Sequence, residues 1–231
     1  MIYILNTSDH FENRLGVFDS KKCFEFENTM VERDLAVMLS KDIKWANQTE
    51  KAVNVTKAII AQLRNSFTYF DPELVRLLYV SLIRPHLEYA VPVWNPYLRK
   101  DIDILENVQH KASRLCPSIS KRSYEERLKI LRLTTLETRR KRGDLIQFYK
   151  GLSGLDNIEW LNELSMVERG VNVRNGGICF HREPANISTE RDQFFINRVI
   201  PLWNNLPQAV KEARTLNSFK AGLDRLGSFS V

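Results

Sequence analysis

The sequence predicts a mainly α-helical protein: a helical bundle with a small strand remnant at the N-terminal end and a loop-rich helical part at the C-terminal end. Three observations carry that expectation. Apolar residues recur at helical spacing in 44–67, 71–82 and 102–115. Apolar runs of strand length are confined to the first 43 residues and to 171–180. Glycine and proline (Gly151, Gly154, Gly170, Gly176, Gly177 and Pro184) punctuate the stretch 151–190. The chain has 231 residues, 43% of them apolar, enough for one large domain or two small ones with a real core. Four regions follow from these patterns: a strand remnant at 1–43, a helical bundle at 44–120, a basic helical connector at 121–165, and a loop-rich helical region at 166–231.

In the first region Tyr3-Ile4-Leu5, Leu15-Gly16-Val17-Phe18 and 35–39 read as short strands, and 23–27 alternates like a half-buried one. In 44–67, Trp45, Ala52, Val53, Thr56, Ile59, Ile60, Leu63 and Phe67 make an apolar helical face, and Lys57 and Arg64 share another. Asp71 is an N-cap and Pro72 fits the first helical position, where a missing N–H costs nothing. Leu74, Leu77, Leu78, Ser81 and Leu82 then form one face, and Arg84-Pro85 should break or kink the helix. Pro92, Trp94 and Pro96 make a rigid aromatic corner before a second long helix with Ile102, Leu105, Val108, Ala112 and Leu115 inward. The expected core includes Leu78, Leu82, Tyr89, Trp94, Leu105, Val108, Phe148 and Trp203.

Net charge is +6, from 34 basic and 28 acidic residues, which permits a nucleic-acid partner without demanding one. The placement is uneven: residues 121–150 hold ten basic and four acidic residues, so the remainder is neutral on balance. Ser123 with Glu126 is a capping-box signature, and Leu136 starts a further helix that carries Arg139, Arg140, Lys141 and Arg142. Four consecutive cations point around most of a helix, so at least two should be exposed, where phosphates would attract them. A solubilising face paired with nearby glutamates is the other reading of the same residues. Beyond 190, Phe194, Phe195, Val199, Ile200 and Trp203 suggest a helix kinked at Pro201. Leu206-Pro207 opens another, and Leu216, Phe219, Leu223 and Leu226 a last one capped by Thr215 or Asn217.

Several chemistries find no support. No apolar run approaches the roughly 20 residues of a membrane span, and the N-terminus lacks the basic start and apolar centre of a secretory signal. Cys23, Cys116 and Cys179 are odd in number and far apart, which favours reduced thiols and an intracellular location. Cys179 and His181 have no second Cys/His pair near them to complete a metal site. Gly176-Gly177 lacks the setting of a phosphate loop, and four scattered histidines assemble no nucleophile set.

Four stretches carry a resemblance: VERDLAVMLSKDIKW, LLYVSLIRPHLEYAVPVWNPYLRKDIDILENVQHKASRL, SYEERLKILRLTTLETRRKRGDLIQFYK and FINRVIPLWNNLPQAVKEARTLNSFKAGLD. In this order they resemble the region downstream of the polymerase core in LINE-type, non-LTR retrotransposon reverse transcriptases of the jockey-like group, covering most of 31–224. The resemblance implies that the first region ends the palm. It also implies that the helical bundle is thumb-like, gripping an RNA or RNA–DNA duplex without sequence preference through Lys57, Arg64, Arg139, Arg140, Lys141 and Arg142. Such polymerases use paired aspartates to hold two Mg2+ ions. This sequence has no Asp-Asp dipeptide, so no catalytic residue, metal site or cofactor is expected here, and Mg2+ belongs only to a full-length polymerase. The chain is expected not to be an enzyme by itself. A helical protein-interaction module and a nonfunctional fragment are the alternatives.

Overall fold

The computed structural model describes residues 30–158, 178–182 and 193–226. Within them the protein is mainly helical, with a single two-stranded antiparallel sheet. Strands β1 (Val31–Asp34) and β2 (Val37–Ser40) pair with Val31 opposite Ser40 and Asp34 opposite Val37. The run 35–39 is therefore not one strand. Leu35 and Ala36 form its turn, with φ of 42° and 67°. Positive φ at both positions is the type I′ form of a two-residue hairpin loop, whose twist matches that of the strands. Leu and Ala pay strain there, and two side chains hold the turn's carbonyls: Tyr89 Oη donates to Leu35 O at 3.1 Å, and Lys51 Nζ donates to Ala36 O. The expected strands at 3–5, 15–18, 23–27 and 171–173 lie outside the described residues.

Helix α1 (Ala46–Ser66) follows, burying Ala52, Val53, Thr56, Ile60 and Leu63. Helix α2 (Pro72–Leu78) starts as its sequence predicts: Asp71 Oδ1 accepts from Leu74 N at 2.8 Å, and Pro72 sits in the first turn. At Arg84-Pro85, where a break or kink is expected, the helix is not interrupted. The chain passes through a π-helical segment, Tyr79–Ile83, directly into α3 (Arg84–Glu88). There Arg84 N–H reaches back five residues to Tyr79 O, so the ladder changes register just before the residue that has no donor. That widened turn re-aims the side chains. Val75, Leu78, Tyr79, Ile83 and Leu87 point inward, while Leu77 and Leu82 are 62% and 43% exposed. Leu82 is thus not a core residue. Tyr89 is not one either, at 51% exposed, because its ring extends toward the β1–β2 turn that its hydroxyl holds.

The aromatic corner is built on Ala90 in the left-handed region and a one-turn helix α4 (Val91–Trp94). Trp94 is fully buried and donates its indole N–H to Tyr89 O. Helix α5 (Arg99–Ala112) buries Leu105, Val108 and Ala112 against α1. Helix α6 (Tyr124–Leu131) begins with the expected capping box: Ser123 Oγ accepts from Glu126 N at 3.3 Å, and Glu126 Oε2 accepts from Ser123 N at 2.9 Å. Helix α7 (Leu136–Leu152) is capped by Thr135. The C-terminal part comprises α8 (Phe195–Asn204), which runs through Pro201, the single turn α9 (Gln208–Lys211), and α10 (Leu216–Arg225), capped by Thr215 rather than Asn217.

Two apolar clusters result. The first gathers residues from Val37 to Leu136, including Leu78, Trp94, Leu105 and Val108. The second joins Leu145, Phe148 and Tyr149 to Phe180, Val199, Ile200, Trp203, Phe219 and Leu223. Phe148 meets Trp203 edge-on at 5.2 Å between ring centroids, and Tyr149 stacks on Phe219 at 4.3 Å. In 178–182, Phe180 is latched through its backbone: Asn204 Oδ1 accepts from Phe180 N at 3.0 Å, and Asn204 Nδ2 donates to Phe180 O at 2.8 Å. No helix among the described residues is long and apolar enough to cross a membrane.

Candidate nucleic-acid interface

Helix α7 packs against α4, α5, α8 and α10. A helix covered on that many sides leaves little solvent-facing surface, and its four consecutive cations are distributed accordingly. Arg139 grips Glu88 of α3 with two N–H groups, Nη2 to Oε2 at 3.0 Å and Nε to Oε1. Burial pushes the Arg139 pKa down, but the bond to Glu88 and its charge outweigh that and leave it raised. Arg142 makes the same two-pronged contact with Asp224 of α10, Nε to Oδ1 at 2.9 Å and Nη2 to Oδ2 at 3.1 Å. Arg140 is 2% exposed. Lys141 pairs with Glu137 at 2.8 Å one turn earlier and keeps 47% of its side chain exposed. The expectation that at least two of the four would be exposed is corrected: Lys141 alone is. Arg139 and Arg142 are directed instead to carboxylates on the elements that surround α7.

Arg140 is unusual even among these. Neither Nη1 nor Nη2 has a hydrogen-bond partner among the described residues. Burial lowers its pKa, and the carboxylates of Glu106, Glu137, Glu88 and Asp144 counter that from a distance. A buried guanidinium whose N–H groups are unmatched contributes little to stability, and an apolar chain of similar length removes the penalty. Arg140→Met is therefore expected to leave the thermal midpoint unchanged or raise it. A fall of more than about 4 °C, roughly 1 kcal/mol for a chain of this size, would show that its charge is needed.

Lys57 and Arg64 behave as their spacing predicts. Both lie on the exposed face of α1, and neither has an ion pair among the described residues.

A different corner concentrates free positive charge. Residues 110–132 hold seven basic and two acidic residues. Arg127 of α6 is 1% exposed and reaches back to the end of α5. Its Nε donates to Ser113 Oγ at 2.9 Å, Nη1 to Arg122 O, and Nη2 lies 3.3 Å from the His110 ring nitrogens. His110 stacks on Tyr124 at 4.6 Å, and Tyr124 Oη donates to Glu106 at 2.5 Å. Burial, then the charges of Arg127 and Arg114, hold the His110 pKa below its ordinary value. Around this anchor Arg114, Lys121, Arg122 and Lys129 are exposed and carry no ion pair among the described residues. The sequence signal that could have found them is the seven-to-two charge ratio, which is steeper than in 121–150 as a whole.

Among the described residues no three His, Cys, Asp or Glu side chains gather as a metal ion would require. Cys179 is buried and accepts from Lys211 Nζ at 3.4 Å. A shallow groove of about 320 Å³ lies between α1 and the π-helical segment, lined by Ile59, Leu63, Leu82 and His86 among others. No family profile, no curated protein and no solved structure matches the chain.

Proposed function

We propose that the chain is the thumb-bearing portion of a LINE-type retrotransposon reverse transcriptase of the jockey-like group, gripping an RNA or RNA–DNA duplex without sequence preference and not polymerising by itself. The observation that carries the reading is the coincidence of the four resembling blocks with packed elements. The first covers the β1–β2 hairpin and the approach to α1, the second runs from the last residues of α2 to just past α5, the third spans α6 and most of α7, and the fourth spans α8 to α10. A duplex is held mainly through its phosphates, which asks for exposed lysine and arginine on a rigid scaffold. Lys57, Arg64 and Lys141 stand in that position, while Arg139, Arg140 and Arg142 belong to the scaffold that carries Lys141.

Fluorescence anisotropy with an RNA–DNA hybrid over a salt series tests this. Weak binding is expected, with a log–log slope of roughly −3 if three or four phosphates are contacted. Primer extension with template, magnesium and nucleotides is expected to equal a blank, and dose-dependent extension would overturn that part. A helical protein-interaction module is the second reading, favoured by the exposed Phe67, Tyr69, Leu77 and Leu82, the last of which lines the shallow groove. It predicts no hybrid binding at low salt, since a helical docking surface depends on apolar anchors.

A further inference from the structure

We infer that the corner between the end of α5 and helix α6, bearing Arg114, Arg122 and Lys129, is a preformed surface for the phosphate backbone of a duplex. This rests on the nucleic-acid reading above and assigns the contact to residues outside the six that the sequence singled out.

Three observations carry it. First, the cations are free: Arg114, Lys121, Arg122 and Lys129 are exposed without an ion pair among the described residues, whereas Arg139, Lys141 and Arg142 each hold a carboxylate. A cation already paired within the protein must break that pair to reach a phosphate, and one surrounded by water releases a counterion from the duplex at no such cost. Second, they converge. Buried Arg127 binds both Ser113 Oγ, the neighbour of Arg114 in the chain, and the carbonyl of Arg122, and Lys129 follows two residues later on the same helix. Third, the corner is held in shape. Buried Arg127 ties α6 to Ser113 and to the Arg122 carbonyl, the Tyr124 ring lies beneath its guanidinium at 5.6 Å, and the Ser123–Glu126 capping box fixes the entry into α6. Glu126, at the start of α6, is engaged by Ser123 N and Oγ. A rigid array of cations suits a rigid array of phosphates, because little ordering entropy is lost on contact.

The test compares two charge-matched variants of the full chain. One carries Arg114→Glu, Arg122→Glu and Lys129→Glu. The control carries Lys41→Glu, Arg76→Glu and Lys100→Glu, which are also exposed and free of ion pairs among the described residues. Each is titrated against an RNA–DNA hybrid and against vesicles containing phosphatidylserine, with thermal melts to confirm folding. The corner variant is expected to lose about tenfold or more in hybrid affinity at about 50 mM salt, with the slope flattened by roughly 2 to 3. The control should keep most of both. Equal losses in the two variants would reduce the corner to a share of net charge and overturn the inference, as would loss of affinity at unchanged slope. Loss on vesicles alone would overturn it in favour of a lipid surface. If the corner variant binds like wild type, the inference falls and the nucleic-acid reading stands. If wild type binds no hybrid at low salt, both fall.

Discussion

Asp144→Ala is expected to destabilise the protein by about 3–5 kcal/mol, the range for stripping a buried charge of its partner. The Asp144 side chain is 1% exposed and that of Arg198 11%. Arg198 holds it with Nε to Oδ2 at 2.9 Å and Nη2 to Oδ1 at 3.0 Å, and Asn95 Nδ2 adds a third bond to Oδ2 at 3.0 Å. Arg198 also donates to Pro92 O at 2.6 Å and Gln193 O at 3.0 Å. One carboxylate on α7 thus joins the aromatic corner to α8, and without it the guanidinium keeps neutral carbonyls and the Phe195 ring but no countercharge. Urea unfolding of wild type, Asp144→Ala and Asp144→Ala/Arg198→Met gives the answer. The double variant should lose less than the single one, since no buried charge is then stranded. A single variant within about 1 kcal/mol of wild type would contradict the buried-pair reading.

Reversing Arg139 and Arg142 to glutamate should unfold the protein rather than merely weaken its grip on a duplex. Each substitution sets a carboxylate against the one formerly paired, Glu88 or Asp224. Arg139 and Glu88 are 20% and 22% exposed, so their loss is the larger. Asp224 is 40% exposed, and solvent screens the second pair more. Together with the repulsion introduced, the loss is several kcal/mol, a large part of the roughly 5–15 kcal/mol of a typical domain. Circular dichroism should show lost helix and a broadened or absent melt. Arg142→Glu/Asp224→Arg, which restores the pair in reverse, should recover much of the stability lost by Arg142→Glu alone. Retained helix and an unchanged melt in the reversed double variant would show the two contacts to be incidental.

What was legible in the sequence was local. Asp71 with Pro72, Ser123 with Glu126, and Thr215 mark helix starts because a cap acts within three residues of itself. Trp94, Leu105, Val108, Phe148 and Trp203 read as core because a large apolar side chain on a helical stripe has few other places to go. What stayed hidden depends on distance along the chain. Nothing around Arg139 or Arg142 reveals that Glu88 and Asp224, 51 and 82 residues away, take up their charge. The ten-to-four tally of 121–150 therefore overstated what α7 offers a ligand and passed over Arg114, which lies outside its window. Leu35-Ala36 misled in the opposite way. Two apolar residues inside an apolar run gave no turn signal, and the strain they bear is sustained by Lys51 and Tyr89 from elsewhere in the fold.

Helix α7 contributes Leu136 to the first apolar cluster and Leu145, Phe148 and Tyr149 to the second. Loosening either exposes apolar surface on a helix that the other still requires, so the free energies of opening are linked through one rod of 17 residues. The described parts of the chain are therefore expected to unfold as one cooperative unit, in which a lesion in the C-terminal aromatic cluster is felt at the hairpin end and the reverse, and one coincident melt by far-UV and near-UV circular dichroism is the expected result.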